Sequence, residues 1–182
     1  MTAAPHFSPM QRLLHWAMAI CILVMLFIGV GMVSTISTRY LALVSVHKPL
    51  GIAILVLALL RLALRLRRGA PPLPSDLPEP MRLAAKLSHV VLYGLMIAMP
   101  LIGWAMVSAE GMPVTLLGGL RLPAIVPQNL ELFALLRNVH GYLAYAFFAV
   151  ILLHIGAALF HALVRRDGVF QAMAPVPDRT AR

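Results

Sequence analysis

Four stretches of this chain are each long and apolar enough to cross a bilayer, and that leaves little choice of fold. They run from about 13 to 33, 47 to 66, 83 to 107 and 132 to 164. About 20 apolar residues in an α-helix cover the roughly 30 Å hydrocarbon core. In lipid every backbone N–H and C=O must be bonded internally, so only helices or closed barrels cross it. No stretch alternates as a barrel strand would. The expected fold is an all-α integral membrane four-helix bundle, one domain over residues 1–182, in contact with membrane lipid. Composition agrees: 61% of the 182 residues are hydrophobic and 12% charged, where a soluble domain has about 25% charged. Residues 1–7 (MTAAPHF) carry no basic region and no cleavage site. The first stretch therefore reads as a retained helix and not a signal peptide.

The net charge of +9 is distributed as a topology signal and not as a nucleic-acid surface. Arg12, Arg61, Arg65, Arg67, Arg68, Arg82, Lys86, Arg165, Arg166, Arg179 and Arg182 would share one side of the membrane. Only Arg39, Lys48, Arg121 and Arg137 remain for the other. Basic residues concentrate on the cytoplasmic side, so both termini are expected there. The Pro-rich run 70–80 becomes a stiff cytoplasmic linker. Residues 108–131, broken by Gly111, Pro113, Gly118, Gly119 and Pro123, become a longer outside loop over the membrane face. The single cysteine, Cys21, excludes an internal disulfide, a Cys-x-x-Cys-His attachment site and Cys-rich iron–sulfur or zinc sites.

The histidines carry the chemistry. His140 and His154 lie fourteen residues apart in the fourth stretch. That is close to four turns, so both rings point the same way, roughly 21 Å apart along the axis. One helix face then presents a ligand near each membrane surface, as two stacked haems require. On the outer level only His47 can pair with His140. On the inner level His154 can pair with His15 or with His89. His15 is preferred because Trp16 and an unbroken apolar helix follow it; His89 remains an alternative ligand, or a partner of a haem propionate or a quinone. His161, one heptad after His154, reads as a surface residue reaching toward headgroups. Gly51, Gly141 and Gly156 lie near these histidines, where close porphyrin approach or ordinary helix packing both suit glycine. Arg12, Lys48 and Arg137 lie within three residues of a ligand histidine and can neutralise propionates or anchor the interface. Arg39, Lys48, Arg121 and Arg137 together form a sparse positive set that can steer an anion to the outer face. The expected cofactors are two non-covalent, bis-histidine haem b groups. Every Asp and Glu is expected in a loop or tail, unlike a transporter with carboxylates at the midplane.

These residues also carry a family resemblance. Arg12-Leu-Leu-His15-Trp16 opens the first helix and Val46-His47-Lys48-Pro49-Leu50-Gly51 the second. Leu87-Ser88-His89-Val90-Val91-Leu92-Tyr93 and Pro100-Leu101-Ile102-Gly103 lie in the third, and the His140 and His154 pair in the fourth. With these the chain resembles, over nearly its whole length, the bacterial cytochrome b561 family, which is related to cytochrome b subunits of nickel hydrogenases and formate dehydrogenases. The resemblance implies that His15 with His154, and His47 with His140, are the axial iron ligands. It also implies an activity, the oxidation of superoxide outside the membrane coupled to reduction of ubiquinone. The rival it raises is an anchor subunit that takes electrons from a hydrogenase or dehydrogenase partner.

Overall fold

A computed structural model describes residues 6–174 of the chain; Arg179 and Arg182, counted above for topology, lie outside the described residues. Its frame is four long helices, α1 (Pro9–Ser34), α2 (Arg39–Arg68), α3 (Glu79–Glu110) and α4 (Leu130–Phe160). Each is long and apolar enough to cross a membrane, and the protein is a helical membrane bundle. Local chemistry sets the ends. Ser8 and Gln11 form a capping box at α1, with Pro9 following as a first-turn residue that needs no N–H partner. The Asn129 side chain accepts a bond from the Leu132 N–H at the start of α4.

Where Pro49 was expected in the first turn of the second helix, α2 begins ten residues earlier, at Arg39. The residues between hold no helix breaker, and Pro49 removes only its own N–H from the ladder, which a membrane helix tolerates. His47 therefore sits in the third turn of α2 and not at its tip.

Backbone packing runs in sequence, α1 on α2, α2 on α3 and α3 on α4. Each helix points one stripe inward, and the stripes meet in a core of Met18, Ile22, Ile54, Ala58, Tyr93, Met96, Phe147 and Ile151. The outward faces are apolar as well: Phe27 is 79% exposed and Leu153 73%. In water such a surface would aggregate, whereas against lipid tails it is the expected boundary.

The two ends of the bundle are tied differently. At the end where α1 begins and α4 finishes, Gln11 donates to the Gly69 carbonyl (3.0 Å) and Trp16 Nε1 to the Met173 carbonyl (2.8 Å). There α4 runs into a π-helical turn, His161–Arg165, followed by the short helix α5 (Val169–Met173). Arg165 pairs with Asp76 of the 70–80 linker (2.8 Å) and with Asp167 (2.9 Å). His161 is not a free surface residue, because its Nδ1 bonds Asp167 Oδ2 at 2.7 Å. Burial pushes the Asp167 carboxyl up, yet bonds from His161, Arg165 and the Val169 N–H hold it below the usual carboxylate range.

At the other end, the 108–131 connection holds a two-stranded antiparallel hairpin, β1 (Val114–Thr115) and β2 (Arg121–Leu122). It is fastened to α3 by Trp104 Nε1 donating to the Pro123 carbonyl (2.9 Å) and by the Ile125 N–H donating to Ser108 Oγ (3.2 Å). Gly111 makes the turn out of α3 at φ +85°, and a Cβ there would stand 2.7 Å from Gln128 Nε2. Only glycine fits this turn.

Candidate cofactor site within the bundle

The inward stripes that build the core also carry the histidines. On α1 the stripe reads His15, Met18, Ile22, and on α2 His47, Ile54, Ala58. On α3 it reads His89, Tyr93, Met96, and on α4 His140, Phe147, Ile151, His154. Spacings of three, four and seven residues keep each set on one face. The apolar core thus lies between two levels of imidazole.

At one level the rings of His47 and His140 stand 6.2 Å apart, centre to centre, with planes at 65°. At the other, His154 faces two rings. His15 lies at 6.4 Å with an interplanar angle of 77°. His89 lies at 5.8 Å and 82°. The structure brings both inner candidates to His154, and they differ in their bonding. His89 Nδ1 contacts the Ala85 carbonyl at 2.6 Å, one turn back on its own helix. Nδ1 of His15 and of His47 is buried with no hydrogen-bond partner. Buried polar atoms without partners are rare, and they mark places completed by something else.

The geometry suits a planar group between paired rings better than a bare ion. Among the described residues no three His, Cys, Asp or Glu side chains converge to hold a metal ion. A metal–nitrogen bond of about 2 Å on each side, plus about 1.1 Å from nitrogen to ring centre, puts two axial imidazoles about 6.2 Å apart. The 6.2 and 6.4 Å pairs match that separation. The helix pairs that carry them, α2 with α4 and α1 with α4, are among those outside the close packing sequence. The residues present therefore fit haem.

Of the four cations expected to steer an anion, Lys48 is half-buried and lines a groove of about 370 Å³ with Ser45, Pro49, Pro113, Thr115 and Leu116. Arg39, Arg121 and Arg137 are exposed at the same end, at the start of α2, in β2 and in α4. Nothing lies within 4 Å of a Cβ added at Gly141 or Gly156, while one at Gly51 would touch only Met25.

Two residues in the site escaped the sequence reading as site residues. A Cβ on Gly103 of α3 would lie 3.3 Å from Cε1 of His140, so this glycine gives the ring its place. Arg61, counted only as a flanking charge, lies inside the bundle with its guanidinium 5.5 Å from the Tyr93 ring centre. A branched side chain at Gly103 must push His140 aside. Gly103→Val should therefore weaken the His47/His140 site and leave the His154 site unchanged, read by resolved optical redox titration of the two levels. Equal loss at both levels, or none, would contradict the assignment.

Comparison with known proteins agrees with this architecture. The family model described as prokaryotic cytochrome b561 matches residues 6–175. Cytochrome b561 homolog 1 of Escherichia coli (strain K12) is 32% identical over 177 residues, covering 93% of this chain and 97% of the relative. A protein of Yersinia pestis named probable superoxide oxidase CybB is 37% identical over 133 residues, 71% of this chain and 73% of the relative. Cytochrome b561 homolog 2 of Escherichia coli (strain K12) is 29% identical over 162 residues, 87% and 86% of the two chains. Histidines facing each other across a membrane bundle, and a family match along almost the entire chain, lead to one assignment: the chain belongs to the prokaryotic cytochrome b561 family, membrane electron-transfer proteins that bind haem b.

Proposed function

We propose that this protein is a di-haem electron conduit of a bacterial inner membrane that oxidises superoxide at the outer face and reduces ubiquinone. The observation that carries the di-haem part is the pairing of imidazoles at two levels, with ring centres 6.2 and 6.4 Å apart. His47 and His140 would hold one haem b, His15 and His154 the other. His15 is preferred over His89 because its separation from His154 matches the second pair, while 5.8 Å is short. His89, oriented by its contact to Ala85, is left to bond a propionate or a quinone. Haem held between two histidines supplies single-electron transfer and leaves no open iron position for O₂.

The chain's own residues supply the rest. Met18, Ile22, Ile54, Ala58, Tyr93, Met96, Phe147 and Ile151 fill the space between the two levels and exclude water from it. Lys48, Arg137, Arg39 and Arg121 put positive charge at the His47/His140 end, where it raises the local concentration of an anion. The excess of Lys and Arg at the opposite end supports cytoplasmic termini. The superoxide assignment is supported by the name of the Yersinia pestis relative, probable superoxide oxidase CybB.

Two haem b groups should be released by acid-acetone and counted at two per chain by pyridine haemochrome. His140→Ala should remove one and His154→Ala the other, with His15→Ala matching His154→Ala and His89→Ala keeping both. A ratio of one, or loss in His89→Ala with retention in His15→Ala, would overturn the pairing.

Pulsed superoxide in a stopped-flow spectrometer should reduce the protein, more slowly as ionic strength rises, because salt screens exposed charges over about 8–10 Å. Replacing Lys48 and Arg137 by Gln should slow reduction severalfold with the spectra intact, and ubiquinone should reoxidise the protein. No reduction by superoxide, with ready reduction by a co-purifying dehydrogenase, would instead identify an anchor subunit.

A further inference from the structure

Arg61 is a charge inside the bundle that has no counter-charge among the described residues. It lies seven residues before the end of α2, and His15 six residues after the start of α1, so the two sit at similar depth, about 10 Å from the same end of the bundle. Through Tyr93, one turn after His89 on α3, Arg61 is also close to the level of His154. Its guanidinium lies over Tyr93, a contact that offsets only part of the cost of an intramembrane cation. No carboxylate among the described residues pairs with it. Asp76 pairs with Arg165, Glu79 with Arg82, and Asp167 with His161 and Arg165. Glu110 and Glu131 belong to the opposite end. A small hollow beside it is lined by Phe7, Gln11, Arg61, Arg65, Tyr93 and Met173. On α1, Nε of Arg12, one turn before His15, is buried without a hydrogen-bond partner.

We infer that Arg61, with Arg65 beside it, binds an oxyanion inside the bundle, and that this oxyanion is a carboxylate of the haem held at His154. The inference rests on the haem placement proposed above. A guanidinium forms a planar, bidentate pair with a carboxylate. Paired this way, the carboxylate stays ionised and its charge is cancelled close to the iron. The fixed cation then favours the reduced, more negative state of that haem. The other source of the same chemistry is a phospholipid phosphate.

Redox titration of the intact protein separates these. The component to follow is the one absent from His154→Ala. In Arg61→Met its reduced-to-oxidised ratio at fixed potential should fall about tenfold, which is about 59 mV for one electron. Its midpoint should also become pH-dependent where the unmutated protein is flat, as the released carboxylate begins to titrate. Arg61→Lys should recover most of the shift, and the second component should not move. With iron protoporphyrin dimethyl ester in place of haem, the Arg61→Met midpoint should stay flat with pH, because no carboxylate is left to titrate.

A midpoint that stays flat with pH in Arg61→Met holding native haem would assign the anion to lipid phosphate and overturn the inference, as would no shift with native haem. Should Arg61→Met not fold, esterification in the unmutated protein must by itself raise the ratio about tenfold, and no change would contradict the pairing. Failure of His154→Ala to remove a component would instead refute the haem placement.

Discussion

An imidazole ring inside hydrocarbon must be given a partner, and the whole bundle is arranged around meeting that demand at two depths. Water is absent and the lipid tails offer no donors or acceptors, so each ring needs protein, cofactor or metal to complete it. Two rings here, His15 and His47, keep a buried Nδ1 that the protein leaves unbonded. The same helix faces that carry the rings carry the core, so the apolar plug and the histidine levels are parts of one design. Phe147 and Ile151 occupy the stretch of α4 between His140 and His154 and fill the core between the two levels. The open sequence of packing from α1 to α4 leaves the gaps where the paired rings stand off from each other.

The two ends then acquire different characters from local chemistry. One is closed by Gln11, Trp16, Asp76, Arg165 and Asp167, which tie α1, the 70–80 linker and the segment after α4 into one bonded surface. The other is closed by a hairpin anchored to α3 and flanked by a groove in which Lys48 is the cation. Charge is dense at the first end and sparse at the second. Beside the His154 level Arg61 carries a charge into the bundle.

Much of this was legible in the sequence because two periodicities are strong in it. Runs of about twenty apolar residues announce the spans, and the fourteen-residue interval from His140 to His154 announces two levels on one face. What stayed hidden depends on how helices rotate against each other, which spacing along one helix does not encode. Both His15 and His89 have the right depth, and only packing shows that both rings reach His154. Gly103 reads as one more small residue until α4 sets His140 against it. Arg61 is masked by the arginines that follow it in α2, all of which look like flanking charges. The early start of α2 was obscured because Pro49 has the composition of a helix opening, and the hairpin because two-residue strands leave no periodic trace.

The central claim, two bis-histidine levels within one bundle, is most directly tested by electron paramagnetic resonance of the oxidised protein. Ring planes at 65° and 77° are closer to perpendicular than parallel, and axial imidazoles so arranged give a strongly anisotropic low-spin ferric signal. The account predicts two such signals in equal amount per chain. A single low-spin signal, a substantial high-spin component, or the rhombic spectrum of parallel ring planes would contradict it.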